Sequence, residues 1–458
     1  MGLINIFQFP VCFVLCELLK DRTTGENILF ATDAYKNISS DFGETRQITS
    51  DMLLSGRLRI IPRVEKELEA QKLRQRIKAE VFTPAWIVNM MNNNCDSEWF
   101  GELEKFNHEN GTSWTTTTKL IHFRSKDGWK RYVASPRIEI ACGEAPYIVS
   151  RYDTTTGELI PIENRIGILD RKLRVVTENT QKQEEWLCWA IKAFKSVYGY
   201  EYQGDSLLIA RANLLHTFSE YLKNKWGREA TSEEIKEITN IVVWNFWQMD
   251  GLTSLVPLRK PKPKASQLDL FATEQVDEDV LPSECLVYDW EEGHPLPFKS
   301  IKNKGTYMKF DFVIGNPPYQ ETQESTSDTP IYDKFMDAAF EIADRVEFVT
   351  PARFLFKAGK TPRAWNEKML NDMHFKVLCY EEDSSKVFAN TDIKGGGLQL
   401  PIETTEKDSE QSKLSQNILS LIKFWQKFQK KWIALCHPWF FRQRVISSPR
   451  LFTKITLV

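Results

Sequence analysis

The stretch "FDFVIGNPPYQ", Phe310 to Gln320, joins an apolar strand to a loop that could do chemistry. Two consecutive prolines remove two backbone donors, fix two φ angles and push the residue before each into extended geometry, so the strand stops after Gly315. Past that point Asn316 offers a side-chain oxygen and Pro317 a carbonyl that no ladder uses. An amine whose lone pair is delocalised into a ring is a poor nucleophile. Two acceptors for its hydrogens, held rigid by Pro317 and Pro318, favour the pyramidal geometry in which that pair can attack. Tyr319 could stack on a base, an interaction worth about 1–3 kcal/mol. The structural alternative is that Pro-Pro merely ends a strand and Tyr319 packs over the sheet edge.

Two more strand ends carry similar promise. "EIACGEAPY", starting at Glu139, runs from an apolar strand into Ala141, Cys142 and Gly143, where a glycine lets backbone approach a ligand closely. "SVYGYE" ends in Glu201, a carboxylate able to accept from both hydroxyls of a ribose; a solvated strand-end acid is the alternative. Asp250 in "WQMDG" is either a ligand contact or the start of an Asp-Gly turn. Asp205 in "GDSLLIARANLL" suits a helix N-cap better than a metal site. The alternation in "ILDRKLRVV" (168–176) suggests either contacts to DNA phosphates or a strand with a solvated basic face.

The elements that must hold these residues alternate. A charged helical stretch, "RVEKELEAQKLRQRIKAE", precedes "VFTPAWIVNMMNN", where Thr83 is placed to cap a helix with Pro84 in its first turn. Strands at 136–143 and 196–201 flank the helical "WLCWAIKAF", and a long amphipathic helix follows the second. "VEFVTPARFLF" and "FKVLCYEED" are later strands. Short strands alternating with helices predict an α/β fold, a mainly parallel sheet with helices on both faces and ligands at the carboxyl ends of its strands. The expected division is a mainly helical N-terminal segment (1–75), a first half of the α/β domain (76–255), a Pro/Lys-rich then acidic loop or linker (256–300), a second half (301–397) and a basic tail (398–458).

Composition excludes little. With 458 residues, 42% hydrophobic content and a formal charge of -2, the chain is long enough for two or three domains and carries no global basic footprint. Eight cysteines without a CxxC pair argue against zinc and fit reduced thiols in a cytoplasm. "INIFQFPVCFVLCELL" lacks the basic region of a signal peptide, position 6 does not fit myristoylation, and no run is long enough to span a membrane. The expectation is a cytoplasmic protein with no metal and no membrane. A nuclease cluster is missing from the N-terminal stretch, so cleavage is not expected.

Taken in order, "VFTP", "ACGEAP", "YGYE" and "NPPY" resemble the gamma-type DNA adenine-N6 methyltransferases of bacterial restriction-modification systems, over roughly residues 50–397. The resemblance implies a Rossmann-like methyltransferase sheet, S-adenosylmethionine as methyl donor, and double-stranded DNA with a flipped adenine as substrate, alongside a cognate restriction endonuclease. It implies Asn316, Pro317, Pro318 and Tyr319 as the catalytic loop. Thr83 and Pro84 would lie beside the methionine end of the cofactor, Ala141 to Gly143 under it, Glu201 on its ribose and Asp250 near its adenine. The glycine motif is a variant, with Glu139 where Asp is common and Glu144-Ala145-Pro146 in place of a second glycine. Loops of this type also serve RNA and protein-glutamine methyltransferases; a third reading is a catalytically impaired remnant that binds DNA or a partner.

After "SSKVFANTDIKGG" the resemblance fades. No glycine follows Gly397, and from Gln411 to Val458 there are nine Lys/Arg and no Asp or Glu. A nucleic-acid grip, an amphipathic helix on a membrane surface and out-of-frame translation from about residue 397, which would remove a core strand, all account for such a tail, and the last is the expectation.

Overall fold

The computed structural model describes residues 2–67, 82–258, 284–302, 308–321, 329–356, 359–381, 383–388 and 397–403. Its apolar runs form one sheet from β1 (Arg137–Ile140), β2 (Val197–Glu201), β3 (Phe246–Gln248), β4 (Phe310–Gly315), β5 (Ala343–Pro351), β6 (Cys379–Glu381) and β7 (Gly397–Glu403). The order is β6-β7-β5-β4-β1-β2-β3, with β7 antiparallel to both neighbours and the other pairs parallel. This is the expected doubly covered α/β sheet. Every residue of β1 and β2 is buried, as parallel strands covered on both faces must be.

Side chains alternate between two cores. Ile138, Ile140, Tyr198 and Tyr200 face one that includes Phe335, Met336 and Trp365 from the helices Tyr332–Phe340 and Arg363–Asn371. The opposite face packs on the helices Ile168–Asn179, Gln183–Lys195, Gly204–Trp226 and Ser232–Asn245. The chain goes outward from β1 through β2 to β3, then returns to β4 on the other side of β1. That reversal opens a crevice at the carboxyl ends of β1 and β4, where ligands bind in such sheets.

Several local expectations are revised. Residues 168–179 are a helix, and Arg171 and Lys172 are buried rather than solvated or available to phosphates. Arg171 pairs with Asp96 at 2.7 Å, and Asp96 also holds Arg137 at 2.9 Å. Lys172 donates to the carbonyl of Ser135 at 2.5 Å and the hydroxyl of Ser196 at 2.6 Å, while burial drives its pKa well below that of an ordinary lysine. The N-terminal segment is less helical than expected. Its described residues include the helices Val11–Leu18 and Ser50–Leu54, and the rest is mostly turns and 3-10 helix. It belongs to the same core as the sheet: Gln248 at the end of β3 bonds both backbone groups of Leu29, at 2.8 and 2.9 Å.

The stretch expected as linker contains a hairpin, Leu286–Asp289 paired with His294–Pro297, and Cys285, Val287 and Phe298 are buried in the core. Most of the charged helical stretch (68–81), the Pro/Lys-rich and acidic run (259–283) and residues 404–458 lie outside the described residues. Residues 398–403, assigned to the tail, form with Gly397 a strand that lies between β5 and β6. No described helix is long and apolar enough to cross a membrane.

Candidate active site

At the carboxyl ends of β1, β2, β3 and β4 lies a cavity of about 510 Å³. Of the residues singled out from sequence, Thr83, Glu139, Ala141, Cys142, Gly143, Glu201, Asp250, Asn316 and Pro318 line it. Pro84, Pro317 and Tyr319 are not among its lining residues.

The turn after β1 is tightly wound, with Ala141, Gly143 and Ala145 all at positive φ, 48°, 53° and 61°. Two alanines in that region are strained, a condition that persists where surrounding structure over-determines it. Ala145 stands where the variant motif departs from a second glycine, and its backbone takes a conformation natural to glycine. The clamps are visible. Glu139, fully buried, accepts from the backbone N–H of Ile148 at 3.2 Å, and burial pushes its carboxyl well above the usual range. Glu144 accepts from the N–H of Arg63 and the hydroxyl of Tyr152, each at 2.6 Å, which ties the turn to the N-terminal segment.

Glu201 closes the other wall. One carboxylate oxygen accepts from the N–H of Gly143 at 2.8 Å and the other from the N–H of Gln203 at 3.0 Å. These bonds fix the carboxylate at the cavity wall. Asp250 builds the anticipated turn, its Oδ1 accepting from the N–H groups of Leu252 and Thr253 at 2.9 and 3.3 Å, and the residue borders the cavity.

Thr83 is not the cap of the helix Ala85–Phe100. Pro84 occupies the cap position, and Asp153 accepts from the N–H of Ala85 at 2.9 Å. The Thr83 hydroxyl instead accepts from Asn316 Nδ2 at 3.2 Å. Asn316 Oδ1 receives the Tyr319 hydroxyl at 2.6 Å, and Tyr319 is buried. Gly315 lets this loop start where it does: a Cβ there would lie 2.7 Å from the carbonyl oxygen of Ile140 in β1. Asp205 is not an N-cap either. Gln203 takes that position, and buried Asp205 holds the hydroxyl of Tyr35 at 2.8 Å and the ammonium of Lys66 at 3.0 Å. No group of three or more His, Cys, Asp or Glu able to hold a metal ion occurs among the described residues.

Sequence reasoning missed Tyr202, Leu252, Ile331 and Phe335, an apolar and aromatic part of the lining. Tyr202 and Leu252 follow recognised motif residues by one or two positions, which is a usable signal. Ile331 and Phe335 come from the start of the helix that follows the Asn316–Tyr319 loop, and nothing local marks them. Among the described residues the lining carries four acids, Glu139, Glu201, Asp250 and Glu321, and no basic side chain. Glu201, Asp250 and Glu321 give such a cavity a preference for cationic over anionic ligands.

Residues 195–388 match the family model of the Eco57I restriction-modification methylase. Over 94 residues the chain is 31% identical to a protein of Mycoplasma pneumoniae (strain ATCC 29342 / M129 / Subtype 1) described as an uncharacterized adenine-specific methylase, covering 19% of this chain and 22% of that one. Among solved structures, the ATP-dependent Type ISP restriction-modification enzyme LlaBIII bound to DNA aligns with 72% of this chain and 19% of its own (TM-score 0.36, 14% identity). The Type IIL restriction-modification enzyme MmeI in complex with DNA aligns with 75% of this chain and 37% of its own (TM-score 0.32, 11% identity). The chain thus spans about a fifth of the curated relative it matches.

Proposed function

We propose, from the premise that residues 195–388 belong to the Eco57I restriction-modification methylase family, that the chain methylates N6 of an adenine flipped out of double-stranded DNA, with S-adenosylmethionine as donor. In that reading it is the modification activity of a restriction-modification system in the cytoplasm, alongside a cognate endonuclease. The observation that carries the reading is the meeting of Asn316, Glu201 and the strained turn of Ala141 to Gly143 around one cavity.

The cavity fits the donor. Glu201, held by two backbone N–H groups, would bind the ribose hydroxyls. Tyr202, Leu252, Ile331 and Phe335 would enclose the adenine ring, and the acidic lining suits a sulfonium. S-adenosylmethionine, when bound, supplies an electrophilic methyl group. The chain's own part is to ready the nucleophile. A paired adenine cannot present its amine to the cavity, so the base must leave the duplex. Asn316 Oδ1 and the Pro317 carbonyl would then accept the two amine hydrogens. Because the Tyr319 hydroxyl sits on Oδ1 in this structure, base entry exchanges a phenol donor for an amine donor and frees the ring to stack.

The test is calorimetric titration with S-adenosylmethionine of the chain and of Glu201→Ala, followed by labelled-methyl transfer to unmodified DNA, RNA and protein. The expected result is binding that the substitution weakens by at least about tenfold, consistent with loss of charge-assisted hydrogen bonds, and label in DNA adenine. Label in RNA or protein glutamine would replace the substrate; no binding by the unsubstituted chain would sink the reading.

A further inference from the structure

We infer that Thr83 is a positioning residue for methyl transfer: its hydroxyl decides which end of the Asn316 amide faces the methyl acceptor. This rests on the role proposed for Asn316 above. An asparagine amide has an oxygen at one end and an NH2 of similar size at the other, and its last torsion is broad and nearly two-fold. The side chain alone selects neither orientation. Chemistry needs one of them, because with Nδ2 turned toward the amine, donors would face donors and nothing would favour the pyramidal geometry.

The structure supplies the selection. Asn316 Nδ2 donates to Thr83 Oγ1 at 3.2 Å, and Oδ1 is thereby turned to the side where the Tyr319 hydroxyl meets it at 2.6 Å. Thr83 is only 2% exposed. Its carbonyl accepts from the hydroxyl of Thr154 at 3.1 Å, its hydroxyl receives that of Tyr147 at 3.4 Å, and the corner beside it is fixed by Pro84 and the bond from Ala85 N–H to Asp153. A loop 233 residues away in the chain therefore presents a fixed acceptor to the catalytic asparagine. Thr83 also lines the cavity, so a cofactor contact has to be separated from the positioning role by experiment.

The experiment compares the full chain with Thr83→Val, which keeps the shape and loses the acceptor, and Thr83→Ser, which keeps the hydroxyl. Three quantities are measured: the melting temperature, the dissociation constant for S-adenosylmethionine, and the single-turnover rate of methyl transfer to unmodified DNA at saturating cofactor. Thr83→Val is expected to slow transfer by about 10- to 100-fold, the effect of losing the acceptor that holds the amide in its productive orientation. Cofactor affinity should stay within about threefold, and Thr83→Ser should restore the rate to within about threefold. A Thr83→Val rate equal to that of the unsubstituted chain overturns the proposal. So does a Thr83→Ser rate as slow as that of Thr83→Val, or a loss confined to cofactor affinity. If the unsubstituted chain binds the cofactor and labels no DNA, the role of Asn316 itself fails and the proposal falls with it.

Discussion

Two glycines at the cavity should separate binding from chemistry when each is changed to alanine. At Gly315 an added Cβ meets the carbonyl oxygen of Ile140 at 2.7 Å and its Cγ1 at 3.1 Å. The nearer of these is backbone of the neighbouring strand β1 and cannot swing aside, so the strand end carrying Asn316 must move instead. Overpacking of this kind is destabilising by about 1–3 kcal/mol. A displacement of about 1 Å in a positioning residue can slow a reaction by about 100-fold. At Gly251 an added Cβ meets ring atoms of Phe335 at 2.6 Å and Tyr200 at 2.8 Å, on the side proposed for the cofactor's adenine. Gly315→Ala should therefore bind S-adenosylmethionine within about threefold of the unsubstituted chain yet transfer methyl about 100-fold more slowly. Gly251→Ala should weaken binding and, once saturated, transfer nearly normally. Calorimetry for the first quantity and single-turnover transfer for the second read the two effects apart. Normal transfer by Gly315→Ala, or the two variants showing the same pattern, would refute the assignment of the two walls.

Two further outcomes follow from the site. Burial holds Glu139 well above its ordinary value of 4.5, so its contribution to stability is whole below that pH and is lost as pH climbs through the raised value. Glu139→Gln keeps an acceptor for the Ile148 N–H and should gain stability relative to the unsubstituted chain as pH rises from about 5 to about 9, read by urea denaturation; a pH-independent difference contradicts this. Tyr319→Phe keeps the ring and removes the hydroxyl bonded to Asn316 Oδ1, so DNA carrying an unpaired target adenine should bind about 2- to 10-fold more tightly, the worth of one hydrogen bond no longer displaced. Weaker binding in a fluorescence titration argues against a resting role for that hydroxyl.

The sequence was most legible where a strand runs directly into the residues it presents. Glu201, Ala141 to Gly143 and Asn316 sit within three positions of a strand end, so local pattern sufficed to place them around one site. It was least legible where a distant partner decides. Arg171 and Lys172 alternate with apolar neighbours and suggested a solvated face; they are buried because Asp96 and the Ser135 carbonyl, far away in the chain, are there to receive them. Thr83 had the right type and place for a helix cap, but Asp153 answers the helix end, which leaves the threonine for Asn316. Ile331 and Phe335 line the cavity through the packing of a helix whose own sequence does not say which face meets it. The strand Gly397–Glu403 was obscured for another reason: the composition change beyond it drew the boundary several residues too early, although "GLQLPIE" alternates as a strand should.

That strand has a bearing on how the protein is made. β7 is the last of the seven described strands of the sheet, yet it pairs along seven residues of β5 and is the sheet partner of β6. While the ribosome is still short of residue 403, β5 presents an unpaired edge and β6 has no neighbour to join. From the completion of β5 at Pro351 until β7 has emerged, the nascent chain thus carries an open strand edge, the condition in which sheets recruit foreign strands. Final closure is a single late insertion between two elements already present, and any halt in synthesis before it leaves a seam through the sheet rather than a shortened end.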